Sequence, residues 1–239
     1  MHNGTIHQGE LSMKENKWFT LASNSLLMGM LLALVGGLLD AYTYVTRDGV
    51  FATAQTGNTV LFAVRAASPD YGSALQNVPP FLAFIAGVLV AEHLKGKFHK
   101  HRRAVLFLEC IILFIIGFLP GSVPNMLITI SIAFVSSLQI GTFNKLENWS
   151  YNSTITTGNL RTASSAFYVG YIGKDPEAKR KFNCFAAIIL SFISGALLGT
   201  FSSVRLGHGA VWIPSAIILA TVLLYRKREA RKTHADTSH

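Results

Sequence analysis

Two short polar runs hold the residues best suited to chemistry. Gln55-Thr56-Gly57-Asn58 and Thr156-Thr157-Gly158-Asn159 repeat the triplet Thr-Gly-Asn, and Asn58 and Asn159 stand 101 positions apart. Threonine is a good helix N-cap, because its hydroxyl accepts a bond from a free backbone N–H of the first turn. Glycine lets another backbone or a ligand come close. Asparagine adds two donors and an acceptor. The start of a helix carries partial positive charge and unpaired N–H groups. Such a triplet at a helix start can seat an anion or a polar neutral solute. Equally, it can cap a short helix and tie two parts of a protein together with no ligand. Gln55 extends the first run.

Other polar residues stand inside apolar sequence. Asp40 follows Gly36-Gly37 in the last third of a hydrophobic run. An acid in such a place is costly unless paired or wet. It is either a coupling group or a structural partner for Arg65, Arg47 or a polar backbone. Gln139, Asn144 and Lys145 form a polar end to another apolar run, next to the second triplet, and are candidates to line the same cavity. Arg65 and Arg161, beside the triplets, are anion attractors or interfacial anchors. Glu109 is expected near an interface, snorkelling toward a basic loop. His93, His99 and His101 do not match a metal-ligand spacing.

These candidates need elements to hold them. The chain has 239 residues, of which 50% are hydrophobic and 14% charged, against roughly 25% charged in soluble domains. Mean hydropathy is +0.39. A disordered chain, a coiled coil and a disulfide-knotted domain are excluded. Stretches free of Asp, Glu, Lys and Arg run over 18–39, 71–91, 110–144, 182–204 and 206–225. About 20 apolar residues cross the hydrocarbon as a helix. The stretch 110–144 is too long for one crossing, and Pro120-Gly121 with Pro124-Asn125 marks a turn within it. Six spans are therefore expected, near 25–45, 79–94, 104–119, 124–143, 182–202 and 209–225.

The formal net charge of +9 sits in alternate segments. Lys14 and Lys17 precede the first span. Lys95, Lys97, Lys100, Arg102 and Arg103 fall between the second and third. Lys174, Lys179, Arg180 and Lys181 precede the fifth, and Arg226, Lys227, Arg228, Arg231 and Lys232 follow the sixth. The positive-inside rule then puts both termini in the cytoplasm. This distribution argues against nucleic-acid binding. A plasma (inner) membrane location is expected, with the lipid bilayer as partner and a homo-oligomer left open. Segments 1–23 and 227–239 read as cytoplasmic tails, the latter basic. Segments 24–119 and 120–226 read as two membrane repeats.

The repeats rest on ordered matches. Tyr42 pairs with Phe143, Gly87-Val88-Leu89 with Gly195-Ala196-Leu197, and Ile111-Ile112-Leu113 with Ile217-Ile218-Leu219. Each half has three spans. An odd number makes the second half enter the membrane in the opposite sense, the inverted repeat common among transporters. Short helices are expected at 58–67 and 159–172. Ten residues of helix reach about 15 Å, half the hydrocarbon. The fold class is thus all-α integral membrane, each half carrying a re-entrant helix opened by Thr-Gly-Asn. Two such segments entering from opposite faces would meet near the midplane. Thr56, Gly57, Asn58, Thr157, Gly158 and Asn159 would form a solute site there, with Asp40, Gln55, Gln139 and Asn144 around it.

No nucleophile–base set, metal set, phosphate loop or dinucleotide fingerprint is evident in the sequence. An enzyme is not expected, nor a cofactor. The expectation is a permease for a small polar or anionic solute. A passive channel and a structural or sensory membrane subunit are the alternatives. The stretch Gly36-Gly37-Leu38-Leu39-Asp40-Ala41-Tyr42-Thr43, with Gly49-Val50-Phe51-Ala52 and the two Thr-Gly-Asn runs, resembles the YoaK-like family. The resemblance covers roughly 25–226 and implies a bacterial six-span inner-membrane protein, sometimes labelled a permease. It supplies no substrate and no catalytic residue. Gly141 stands where a second acid would mirror Asp40, so it implies no acid pair.

Overall fold

In a computed structural model, residues 25–68, 71–95 and 101–236 are described. The expected tail 1–23 and Lys97, His99 and Lys100 lie outside them. Apart from one two-residue hairpin, the ordered elements are helical. In chain order they are α1 (Leu26–Thr46), α2 (Gln55–Ala66), α3 (Tyr71–Leu75), α4 (Val78–Lys95), α5 (His101–Ile116) and α6 (Asn125–Thr142). The hairpin β1 (Lys145–Leu146) and β2 (Trp149–Ser150) follows. Then come α7 (Thr156–Phe167), a π-helical turn at Tyr168–Ile172, α8 (Pro176–Leu206), a 3-10 turn at Gly207–Val211, and α9 (Trp212–Asp236).

Local chemistry sets these ends. Ser25 caps α1 by accepting from the Met28 N–H at 3.3 Å. Asp175 caps α8, and Pro176 occupies its first position, where a missing N–H costs nothing. After α1 the chain reverses through Asp48 and Gly49, at φ 59° and 65°. That left-handed conformation suits Asp and Gly in succession. The turn expected at 120–124 is present, with the Val123 N–H on the Pro120 carbonyl.

Among the described residues, four segments are long and apolar enough to cross a membrane: Leu26–Thr46, Tyr71–Lys95, Asn125–Thr142 and Pro176–Tyr225. The last contains α8 and the start of α9, separated by the 3-10 turn. Their burial divides them into two kinds. α1 and α6 are 67% buried over the apolar window, whereas the segments containing α4 and α8 are 28% buried. The first two are the centre of the bundle. Leu82, Ile85 and Leu89 of α4 and Leu190, Leu197 and Phe201 of α8 stay exposed. An apolar face of that kind suits lipid better than water.

The core follows from α1's periodicity. Met28, Leu32, Val35, Leu39 and Tyr42 recur at helical spacing. They pack with Leu106, Leu113 and Ile116 of α5, Ile128 and Ile132 of α6, and Ile218 of α9. The largest helix interfaces join α1 to α8 and α4 to α6. α5 also meets α6 and α9, and α9 meets α1. Both large interfaces depend on glycine. A methyl on Gly37 would run into the Phe192 carbonyl of α8, and one on Gly195 into the Leu34 carbonyl of α1. A methyl on Gly87 of α4 would meet the Phe134 carbonyl and Ser137 hydroxyl of α6. Close backbone approach is what helix pairs use in lipid, where apolar burial gives no drive to associate.

Candidate functional site

The two Thr-Gly-Asn runs open helices of equal length, α2 and α7, each with 12 residues. Both start three residues earlier than expected. The expected threonine caps do not form. The N-cap residues are Ala54 and Ile155, neither with a side-chain cap bond. Instead each chain enters its helix through the same tight bend. Ala54 has φ −80° and ψ 71°, and Ile155 has φ −85° and ψ 82°. The Gln55 N–H meets the Thr53 carbonyl at 2.9 Å, and the Thr156 N–H meets the Thr154 carbonyl at 3.1 Å. These are inverse γ-turns. Thr56 and Thr157 follow within the first turn and are exposed.

The asparagines brace the bend. Asn58 Oδ1 accepts from the Phe51 N–H at 2.9 Å, and its Nδ2 donates to the Phe51 carbonyl at 2.7 Å. It also donates to Gln55 Oε1 at 3.1 Å, while Gln55 Nε2 reaches the Ala52 carbonyl at 2.9 Å. Asn159 Nδ2 donates to the Asn152 carbonyl at 2.6 Å. In both runs the side chain reaches back seven residues to the incoming strand of chain. Both asparagines are buried, at 1% and 4% exposure. The glycines differ. A methyl on Gly57 would lie 2.9 Å from the Phe51 ring, whereas one on Gly158 would meet only Ile155, at 3.8 Å.

Asp40 fastens the first bend to α1. Its Oδ1 accepts from the Thr53 N–H at 2.7 Å and its Oδ2 from the Thr53 hydroxyl at 2.6 Å. Of the partners considered from sequence, the polar backbone is the one used. Arg65 instead holds the loop after α1, donating to the Asp48, Gly49 and Ser73 carbonyls. Arg47 turns elsewhere too. It is 2% exposed, and donates to Asn125 Oδ1 at 3.0 Å and to the Tyr42 hydroxyl at 2.8 Å. Tyr42 in turn donates to the His208 carbonyl at 3.2 Å. Thus α1, α6 and the turn before α9 are joined at one end of the bundle. There the His208 imidazole is held below its ordinary pKa, first by burial and then by the Arg47 guanidinium.

Glu109 corrects an expectation. It does not snorkel; it is 0% exposed. Its Oε2 accepts from Gln139 Nε2 at 2.8 Å, and its Oε1 has no partner among the described residues. Gln139 therefore belongs with α5, not with the second Thr-Gly-Asn run. Asn144 is exposed, and its carbonyl receives the Tyr151 N–H at 3.2 Å in the hairpin. Lys145 is exposed as well. The polar end of α6 thus divides between two places rather than lining one cavity with the triplet.

Separate cavities flank the two short helices. Beside α2, Asn58, Thr59, Phe62, Asn77, Val78 and Phe81 line about 190 Å³. Asn77 Oδ1 is buried without a partner among the described residues. Beside α7, a cavity of about 490 Å³ is lined by charged and polar groups, among them Arg161, Thr162, Ser165, Asp175, Glu177 and Lys181. The two share no residue. α2 packs on α3 and α4, and α7 on α8. Of the ten expected site residues, Asn58 is the one that lines either cavity.

The chain resembles other proteins over nearly all of its helical part. It is 24% identical over 203 residues to the UPF0700 transmembrane protein YoaK of Bacillus subtilis (strain 168), covering 81% of this chain and 90% of that protein. No solved structure matches. With its apolar helices, the likeness to a transmembrane protein marks the chain as a multi-pass membrane protein. The family profile described as "Protein of unknown function (DUF1275)" matches residues 28–224. A match of that extent, together with the YoaK likeness, settles the family: the chain belongs to the DUF1275, or YoaK-like, family.

Proposed function

We propose that this protein is a small-solute transporter of the bacterial plasma membrane. It crosses the membrane six times as two inverted three-helix repeats, with both termini in the cytoplasm. The observation that carries this reading is the exchange of helix partners. If α1, α2, α4 and α5 correspond to α6, α7, α8 and α9, the main contacts among these eight helices pair off. The α1–α8 interface mirrors α6–α4, α5–α6 mirrors α9–α1, and α2–α4 mirrors α7–α8. The α5–α9 contact maps onto itself. The central helices match in burial, as do the outer ones. The bends before α2 and α7 match in dihedral angles and share one asparagine bond, from the side-chain amide to the carbonyl seven residues earlier. Inverted repeats with broken helices are the architecture of alternating access, in which one repeat rocks against the other.

In this reading Thr56, Gly57, Asn58, Thr157, Gly158 and Asn159 border the solute route from opposite faces. Asn58, Thr59 and Asn77 give the first cavity its polar wall. Asp40 and Gln55 hold the first bend in place. Reconstituted vesicles would be offered labelled amino acids, sugars, carboxylates and inorganic anions. The transporter reading expects saturable uptake and counterflow of at least one class, and flux in no class would refute it. A passive channel would instead give flux without counterflow. A second reading has a specific observation in its favour. The Asn58 and Asn159 amides are bonded to their own chain, as expected of a structural membrane subunit whose bends only hold shape. In that case, variants of these residues would alter stability and leave all fluxes at the level of protein-free vesicles.

A further inference from the structure

We propose that the cavity between the C-terminal end of α1 and the N-terminal end of α6 binds a small oxyanion, a phosphate or carboxylate group, on Arg47. The cavity measures about 240 Å³, and its wall includes Arg47, Asp48, Gln76, Pro124, Asn125 and Thr129. It is distinct from both cavities at the Thr-Gly-Asn bends and does not depend on transport. Arg47 is the largest fully buried side chain in the protein's described part. Both residues it bonds, Asn125 and Tyr42, are neutral. Among the described residues its Nε has no partner, and no carboxylate lies within ion-pair distance of it. A buried cation with no counter-charge is strongly disfavoured. A guanidinium with a free N–H is also the side chain best shaped for an oxyanion.

The surroundings add to this. α6 is a full-length helix of 18 residues whose N-cap, Pro124, offers no side-chain acceptor. The Leu127 N–H turns back to the Pro124 carbonyl at 3.0 Å, and Asn125 and Met126, the first two residues of α6, line the cavity, at the helix end that favours negative charge. The acid on the wall, Asp48, is turned to the Asn125 amide, which donates to its Oδ1 at 2.9 Å. The same Asn125 thus holds both Arg47 and Asp48, one through its oxygen and one through its nitrogen. The position 101 residues after Arg47 is Asn148. This cation has no mate in the other half, so the site belongs to one end of the bundle.

A lipid headgroup and a soluble ion present the same oxyanion, and the experiment separates them. The full chain is purified in detergent and placed in nanodiscs of phosphatidylcholine. Thermal unfolding is followed while sodium phosphate or acetate is added, with sodium chloride at matched ionic strength as the control. A parallel set of nanodiscs contains phosphatidylglycerol. Gln76→Glu puts a like charge on the wall without touching any bond of Arg47, so it keeps the fold where Arg47→Gln would strain it. The expected result is a saturable rise in Tm with phosphate or acetate, its midpoint shifted at least tenfold by Gln76→Glu. A rise with phosphatidylglycerol alone, equally weakened by Gln76→Glu, assigns the oxyanion to a headgroup. No rise beyond the chloride control with any of the three, or an equal response in Gln76→Glu, overturns the proposal.

Discussion

Asn58 and Asn159 occupy matched positions but carry different loads, and the difference can be measured. Asn58 makes three bonds: one from the Phe51 N–H, one to the Phe51 carbonyl and one to Gln55. Asn159 makes one, to the Asn152 carbonyl. A neutral intramolecular hydrogen bond is worth about 1 kcal/mol net, and a stranded buried group costs about 1–3 kcal/mol. Asn58→Ala should therefore cost about 3 kcal/mol, and Asn159→Ala about 1 kcal/mol. At roughly 2–4 °C per kcal/mol for a chain of this size, Tm should fall about 6–12 °C in the first and about 2–4 °C in the second. Cys110 and Cys184 are free and buried, so a thiol-reactive fluorophore reports unfolding without introduced cysteines. Asn58→Asp sharpens the test. It keeps the acceptor for the Phe51 N–H, removes the donor, and sets a carboxylate against the Phe51 carbonyl. Its Tm should fall at least as far as that of Asn58→Ala. Equal shifts for the two alanine variants, or a wild-type Tm for Asn58→Asp, would refute the bracing role.

Three further outcomes follow from the same contacts. Gly158→Ala should stabilise by up to about 1 kcal/mol, the helical advantage of alanine over glycine. Gly57→Ala should instead destabilise by about 1 kcal/mol or more, because the new methyl meets the Phe51 ring at 2.9 Å; paired melting curves read the opposite signs. Asp40→Asn keeps an acceptor for the Thr53 N–H and a donor for its hydroxyl, so its Tm should stay near wild type while Asp40→Ala melts lower. Loss of uptake in a stable Asp40→Asn would then assign the charge, not the bond, to transport. Arg47→Gln should raise the pKa of His208, since the guanidinium is the second cause of its depression. Burial, the first cause, stays and keeps it below the ordinary value. A histidine titration by NMR reads this, and an unchanged midpoint would contradict it.

Much of the helical layout was legible because it is written in local sequence. The spans expected near 25–45, 79–94 and 124–143 fall within a residue or so of α1, α4 and α6, while α8 starts at Pro176, ahead of the expected 182, and the turn at 120–124 shows in Pro and Gly. The Thr-Gly-Asn runs announced α2 and α7 as a matched pair. What those runs do was not legible. A threonine at a helix start suggests a cap, yet the first-turn N–H groups are reached through an inverse γ-turn, and the asparagine looks back to a residue seven positions earlier. Nothing in composition specifies that reach. Glu109 was misjudged for a similar reason. Its distance from the basic residues before α5 suggested a snorkel, and only the packing of α5 on α6 brings it to Gln139. Arg47 was considered only as a partner for Asp40, and only the tertiary fold brings it to Asn125 of α6.

The central claim is that the two halves are inverted, and labelling from each side of the membrane tests it directly. Tyr71 follows α2 and Lys174 follows α7, and both are exposed. Tyr71→Cys and Lys174→Cys would be treated separately with a membrane-impermeant maleimide in intact cells and in inside-out vesicles. Inversion predicts that Tyr71→Cys labels only in intact cells and Lys174→Cys only in inside-out vesicles. Labelling of both from the same side would contradict it.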